Sequence, residues 1–138
     1  MLTPIHVVAA IIQNAQREIL CARRSFQMTL PGFWEFPGGK VESEETAEVA
    51  LAREIQEELG CQIAVGAFVE NTTHTYGFIT IRLETYMATL VEGLPVATEH
   101  SELRWVPWQE LHALEWAPAD IPAVERVIAL CKKDCMSS

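Results

Sequence analysis

A chain of 138 residues, 49% of them hydrophobic, is the size of one domain spanning 1–138 with one well-filled core. A formal net charge of −9 argues against the basic face that polynucleotide binding needs, so no nucleic-acid partner is expected. No segment approaches a membrane span, and the apolar run at residues 7–12 has neither a basic flank nor a cleavage site, which excludes a signal peptide and a membrane partner.

In chain order, residues 6–12 read as a buried strand, Asn14-Ala15-Gln16 as its turn and 17–22 as the returning strand. Residues 25–32 form a loop. Gly38 and Gly39 precede a helix expected over 44–59, with Ser43 as N-cap and Gly60 at its C-terminal end. Residues 62–71, 78–90 and 103–106 read as three further strands, and 108–114 as a short helix. The last helix, over 120–133, would be capped by Asp120 and carry Ile121, Val124, Ile128 and Cys131 inward. Mixed strands with one helix early and one late suggest a sheet sandwiched between helices. Cys21, Cys61, Cys131 and Cys135 show no Cys-x-x-Cys and no nearby His, so zinc is not expected and free thiols in a reducing cytoplasm are.

The helix over 44–59 carries the chemistry. Successive residues turn by about 100°, so Glu54, Glu57 and Glu58 share one sector of about 100°. Like charges that close repel, and a compact cation removes the repulsion. Mg²⁺ suits such a cluster, because it takes oxygen ligands and commonly bridges one or two carboxylates to substrate phosphates. Ala47 and Ala50 lie in the same sector and would leave room for a bulky ligand. Leu51, Ile55 and Leu59 form the neighbouring stripe, which should face the core. Gly38 and Gly39 let backbone approach metal or phosphate without an intervening Cβ. An ordinary solvated helix would place Lys or Arg four residues after its glutamates, yet Glu54 is followed by Glu58.

The full pattern is Gly39, five residues, Glu45, seven residues, then Arg53-Glu54-Ile55-x-Glu57-Glu58-x-Gly60. It resembles the box of the Nudix hydrolases, with Cys61 standing where that family usually has an aliphatic residue. The lead-in Trp34-Glu35-Phe36-Pro37-Gly38-Gly39-Lys40, the segment Ala117-Pro118-Ala119-Asp120-Ile121-Pro122, and Glu99-His100 ahead of Trp105 are similar to the MutT-like and CTP pyrophosphohydrolase-like branch. The resemblance implies an α/β (α+β) fold, the Nudix-type α/β/α sandwich with a mixed β-sheet between helices. It also implies a Mg²⁺-dependent nucleoside triphosphate pyrophosphohydrolase, with Mn²⁺ as a substitute cation, that sanitises the nucleotide pool by acting on 8-oxo-dGTP or (d)CTP-type substrates. Glu54, Glu57 and Glu58 would be metal ligands, completed by the Gly38 carbonyl and Glu99. Arg53 would orient the glutamates through a bidentate pair, with Glu45 as its partner. Gly39 and Gly60 would support the box, and Lys40 would meet the phosphates. Glu54 and Glu99 are both candidates for the general base, and the sequence does not choose.

For the base, a carboxylate at Asp120 offers acceptors to a cytosine N4 amino group or to guanine N1 and N2, while a helix-capping role is the competing reading. Asp replaces the amide usual in guanine sanitisers, which raises the cytosine option. Phe36 and Phe78 are candidates for stacking and Arg24 for a nucleotide contact. An ADP-ribose pyrophosphatase is the rival enzyme. That branch tends to carry a proline downstream of the box, and none lies between Gly60 and Pro95. A non-catalytic nucleotide-sensing module is the rival class, although such modules generally lose box glutamates and none is missing. Both a monomer and a homodimer are compatible with the sequence.

Overall fold

The computed structural model describes residues 3–137. Their order is β1 (Ile5–Ile12), β2 (Glu18–Arg23), β3 (Trp34–Glu35), β4 (Gly38–Lys40), α1 (Ala47–Leu59), β5 (Gln62–Tyr76), β6 (Ile79–Glu92), β7 (Glu102–Pro107) and α2 (Ile121–Ser137). Two 3₁₀ turns, Trp108–Ala113 and Pro118–Asp120, lie between β7 and α2. No helix among the described residues is long and apolar enough to cross a membrane.

The strands divide between a mixed four-stranded sheet, β4-β1-β6-β5, and an antiparallel three-stranded sheet, β3-β2-β7. β1 is the hinge of this arrangement. It pairs parallel with β6 and antiparallel with β4, so both its edges are occupied. The strand that returns from it therefore cannot stay beside it. After a turn held by Asn14, whose Oδ1 accepts from the Gln16 and Glu18 amides, β2 crosses to the second sheet, leaving only a bridge between Gln13 and Ile19.

Side-chain alternation along β1 separates two cores. Val8, Ala10 and Ile12 pack against Ala50, Leu51, Ile55 and Leu59 of α1. Ala9 and Ile11 pack on the other side with Val124, Val127, Ile128 and Cys131 of α2. The mixed sheet thus lies between the two helices, as expected. Ala50 is wholly buried in this packing, so its small side chain lets the helix sit close on the sheet and does not leave room for a ligand.

Four local expectations are corrected. The helix starts at Ala47, capped by Thr46, whose Oγ1 accepts from the Val49 amide at 3.2 Å. Ser43 cannot cap it, because Glu44 stands at φ 70° and breaks the helical path. Gly60 does end the helix in the left-handed region, at φ 68°. At the other end of the chain Ile121 is 45% exposed, and Ala123 and Val127 join the inward face in its place. Asp120 lies in the 3₁₀ turn before α2, and its carboxylate turns away from the helix. β5 and β6 also run longer than expected, because the polar, β-branched run Thr72–Thr75 continues the pairing to Tyr76↔Ile79.

Candidate active site

Arg53 is the organising side chain of the box. Its Nε and Nη2 donate to the two carboxylate oxygens of Glu45 at 2.7 and 2.8 Å. Its Nη1 donates to Glu54 at 3.0 Å and to Glu57 at 3.2 Å, and Nη2 also reaches the Lys40 carbonyl at 3.1 Å. One guanidinium therefore ties α1 to the loop before it and to β4. The hydrogen bonds from Arg53 hold the Glu45 carboxyl down, to a pKa of about 2, and the same pairing pushes Arg53 further up.

β4 brings its glycines against this cluster. Gly38 faces the β1 backbone so closely that a Cβ there would stand 1.9 Å from the Val8 carbonyl oxygen. A Cβ on Gly39 would stand 2.3 Å from the carboxylate of Glu54. The absence of side chains is what allows strand and helix to meet here.

Glu58 differs from its neighbours. One of its oxygens is buried without a hydrogen-bond partner. Burial pushes its carboxyl up to about 7, opposed by nearby His100 and reinforced by Glu54, Glu35 and Glu99. Glu99, exposed on the loop before β7, is thus brought electrostatically next to the box. Among the described residues no three carboxylates converge as a ready-made metal cage, since Glu54 and Glu57 are turned onto Arg53.

Next to the box a cavity of about 540 Å³ opens. Gly38, Gly39, Lys40 and Glu58 line it together with Arg24, Glu35, Phe36, Tyr76 and Asp120. Phe36 is almost fully buried and packs on Trp116 with ring centroids 4.7 Å apart. Its backbone amide donates to Asp120 Oδ2 at 3.0 Å. That bond, to a residue 84 positions away, is where the Asp120 carboxyl is used, which corrects the helix-cap reading. Burial and then the neighbouring Glu35 carboxylate push the Asp120 carboxyl well above the usual range, against the pull of the Phe36 amide and Arg24.

Arg24 lies in the cavity wall, with each of its three guanidinium nitrogens engaged by the protein. It donates to Glu35 at 2.7 Å, to Thr29 Oγ1 at 2.8 Å and to the Thr29 carbonyl. Its observed work is to fasten the 25–30 loop to β3. Phe78 stands at the hairpin tip, 95% exposed and outside the cavity wall, and is replaced there by Ile79 and Tyr76. The β5–β6 turn directs the Phe78 side chain into solvent, so the structure does not bring this stacking candidate together with Phe36.

Two residues of the site went unrecognised in the sequence. Glu35 sits between buried Trp34 and Phe36, and strand alternation turns it to the other face, where it meets Arg24 and His100 Nε2 at 2.8 Å. Tyr76 ends a polar run with nothing local to mark it.

A sequence profile of the NUDIX domain matches residues 3–127. The chain is 40% identical over 126 residues to the CTP pyrophosphohydrolase of Escherichia coli K12, covering 91% of this chain and 93% of that protein. It is 42% identical over 123 residues to a putative 8-oxo-dGTP diphosphatase 2 of Mycobacterium tuberculosis, covering 87% and 84%. Among solved structures, a MutT protein of the Nudix hydrolase family from methicillin-resistant Staphylococcus aureus 252 is 51% identical. It superposes with a TM-score of 0.77 over 94% of this chain and 98% of that one. With the profile spanning nearly the whole sequence and relatives of 40% identity or more covered almost end to end, the chain belongs to the Nudix hydrolase family.

Proposed function

We propose that this chain is a Mg²⁺-dependent nucleoside triphosphate pyrophosphohydrolase, converting NTP and water to NMP and pyrophosphate within the cytoplasmic nucleotide pool. Its substrates on this reading are 8-oxo-dGTP, (d)CTP or both, CTP and 8-oxo-dGTP being the compounds in the names of its relatives. The observation that carries the proposal is one cavity shared by Gly38, Gly39, Lys40 and Glu58 with Phe36 and Asp120, directly beside the Arg53 cluster. A triphosphate and a base attached to it need such a continuous site.

Glu54, Glu57, Glu58, Glu99 and the Gly38 carbonyl would hold the cation, with Mn²⁺ as a substitute. The donors are all hard oxygens, and the unpartnered buried oxygen of Glu58 suits a cation. A preassembled three-carboxylate cage is not needed, since Mg²⁺ usually keeps several waters and binds through one or two carboxylates plus phosphates. When bound, the cation supplies positive charge against the phosphate oxygens and makes water more acidic. The chain does the rest by positioning, which dominates phosphoryl transfer. Arg53 holds Glu54 and Glu57 in place, Lys40 faces the phosphates, and Glu54 or Glu99 takes the proton of the attacking water. Phe36 and Asp120 receive the base.

A product assay on CTP, dCTP, dGTP, 8-oxo-dGTP and ADP-ribose with Mg²⁺ tests the proposal. Nucleoside monophosphate and pyrophosphate are the expected products of one of the triphosphates. Orthophosphate as the first product, ADP-ribose as the preferred substrate, or no turnover of any of them would overturn it.

A further inference from the structure

The cavity holds four polar side chains in mutual electrostatic reach: Arg24, Glu35, Tyr76 and Asp120. Three are already committed to one another or to backbone. Arg24 is bound to Glu35 and Thr29, Glu35 to Arg24 and His100, and Asp120 Oδ2 to the Phe36 amide. Tyr76 is different. Its hydroxyl oxygen accepts the Ala119 amide proton at 2.8 Å. A hydroxyl has one proton to give as well as lone pairs to offer, and among the described residues no protein acceptor takes the Tyr76 proton. Burial pushes the phenol up, so the proton stays on.

The position is also well held. The ring lies against His74 with centroids 4.5 Å apart, and the Tyr76↔Ile79 pair closes the β5–β6 hairpin. The Ala119 amide fixes the oxygen next to Asp120 in the chain and in space. An oriented donor without a protein acceptor, in the wall of a mainly apolar cavity, is what a base-reading group requires.

We propose that Tyr76 is a specificity-determining residue, its hydroxyl donating a hydrogen bond to a carbonyl or ring-nitrogen acceptor of the bound nucleobase. This rests on the pyrophosphohydrolase reading above and adds the base contact. Asp120 lines the same cavity within electrostatic reach of that hydroxyl, so the two residues place polar groups in one cavity wall. A base lacking an acceptor opposite Tyr76 leaves that proton without a partner from the ligand, and a site built to hydrogen-bond its ligand discriminates against such a base.

Tyr76→Phe tests the proposal, because it keeps the ring and removes only the hydroxyl. The probes are the monophosphate of whichever of dCTP or 8-oxo-dGTP the wild type prefers, and inorganic pyrophosphate, each measured as an inhibitor with Mg²⁺ present. The variant is expected to weaken the nucleoside monophosphate about tenfold, the size of one lost hydrogen bond, and to raise KM of the triphosphate with kcat little changed. Pyrophosphate inhibition, which involves no base, should stay within about twofold. A parallel loss for both inhibitors would mean that the hydroxyl only supports the Ala119 segment, and would overturn the proposal, as would unchanged nucleotide inhibition. A wild type that turns over no nucleoside triphosphate would instead remove the functional reading on which it rests.

Discussion

Gly38 and Gly39 are neighbours in sequence, yet replacing each by alanine should have opposite consequences. A Cβ at Gly39 would lie 2.3 Å from the Glu54 carboxylate, which is the far end of a flexible side chain. Glu54 can swing away, and the folded state then loses its 3.0 Å bond from Arg53. Such a partly exposed pair contributes about 0.2–1 kcal/mol. The Gly→Ala change also narrows the unfolded ensemble, which restores about 0.4–1 kcal/mol. The net change in stability for Gly39→Ala is therefore close to zero. Its activity should nevertheless fall about 100-fold, the cost of displacing a reacting group by about 1 Å. At Gly38 the clash is with the Val8 carbonyl oxygen, 1.9 Å away, and with the Ala9 Cα at 2.7 Å. Backbone cannot swing away. β1 and β4 must separate, at a cost of about 1–3 kcal/mol or more for overpacking. Urea midpoints and kcat/KM for both variants provide the assay. A Gly39→Ala enzyme with wild-type turnover, or a Gly38→Ala enzyme with wild-type stability, would refute the reasoning.

Three further outcomes are expected. Glu57→Gln and Glu58→Gln should each lower turnover by about two orders of magnitude or more, as expected for lost electrostatic stabilisation, while the melting temperature without cation holds or rises. Glu48→Gln, an exposed glutamate on the same helix, should be nearly silent in the same assays. Glu45, depressed from 4.5 to about 2, contributes stability that is complete above pH 4.5 and is lost as pH falls towards 2. Glu45→Gln should flatten that acid limb in urea titrations against pH, and an unchanged limb would count against the Arg53 pairing. Asp120 has the opposite sign. With its carboxyl raised in the fold, the unfolded chain gives up its proton first, so stability falls as pH rises above 3.8 until the buried group ionises too. Asp120→Asn should relieve that loss, keep an acceptor for the Phe36 amide, and move the kcat/KM ratio from CTP towards 8-oxo-dGTP. Asp120→Ala should cost about 1–3 kcal/mol for the unpaired Phe36 amide, and an unchanged substrate ratio in the Asn variant would end its role in base reading.

What the sequence determined by itself is the part of the molecule whose causes are local. The stripe Leu51, Ile55 and Leu59 is buried because it recurs at helical spacing, and the left-handed Gly60 ends the helix for a reason contained in one residue. The Arg53 pairings with Glu54 and Glu57 lie within one turn of helix, and Glu45 is a loop away. Residue type and interval were enough for the stripe and the helix end, while the family resemblance supplied the expectation of the Arg53 pairings. Tertiary structure decided whatever depends on partners far apart in the chain. The carboxyl of Asp120 looks like a cap in its own neighbourhood, but the Phe36 amide, 84 residues away, captures it. Ala50 looks like space for a ligand until β1 fills the space. Phe78 and Tyr76 sit two residues apart at one hairpin, and only the direction of that turn sends the first into solvent and the second into the cavity. The crossing of β2 to a second sheet depends on β4 and β6 having already taken both edges of β1. Hydrogen-bonding groups and strand edges accept few partners, and which partner wins depends on the whole packed fold.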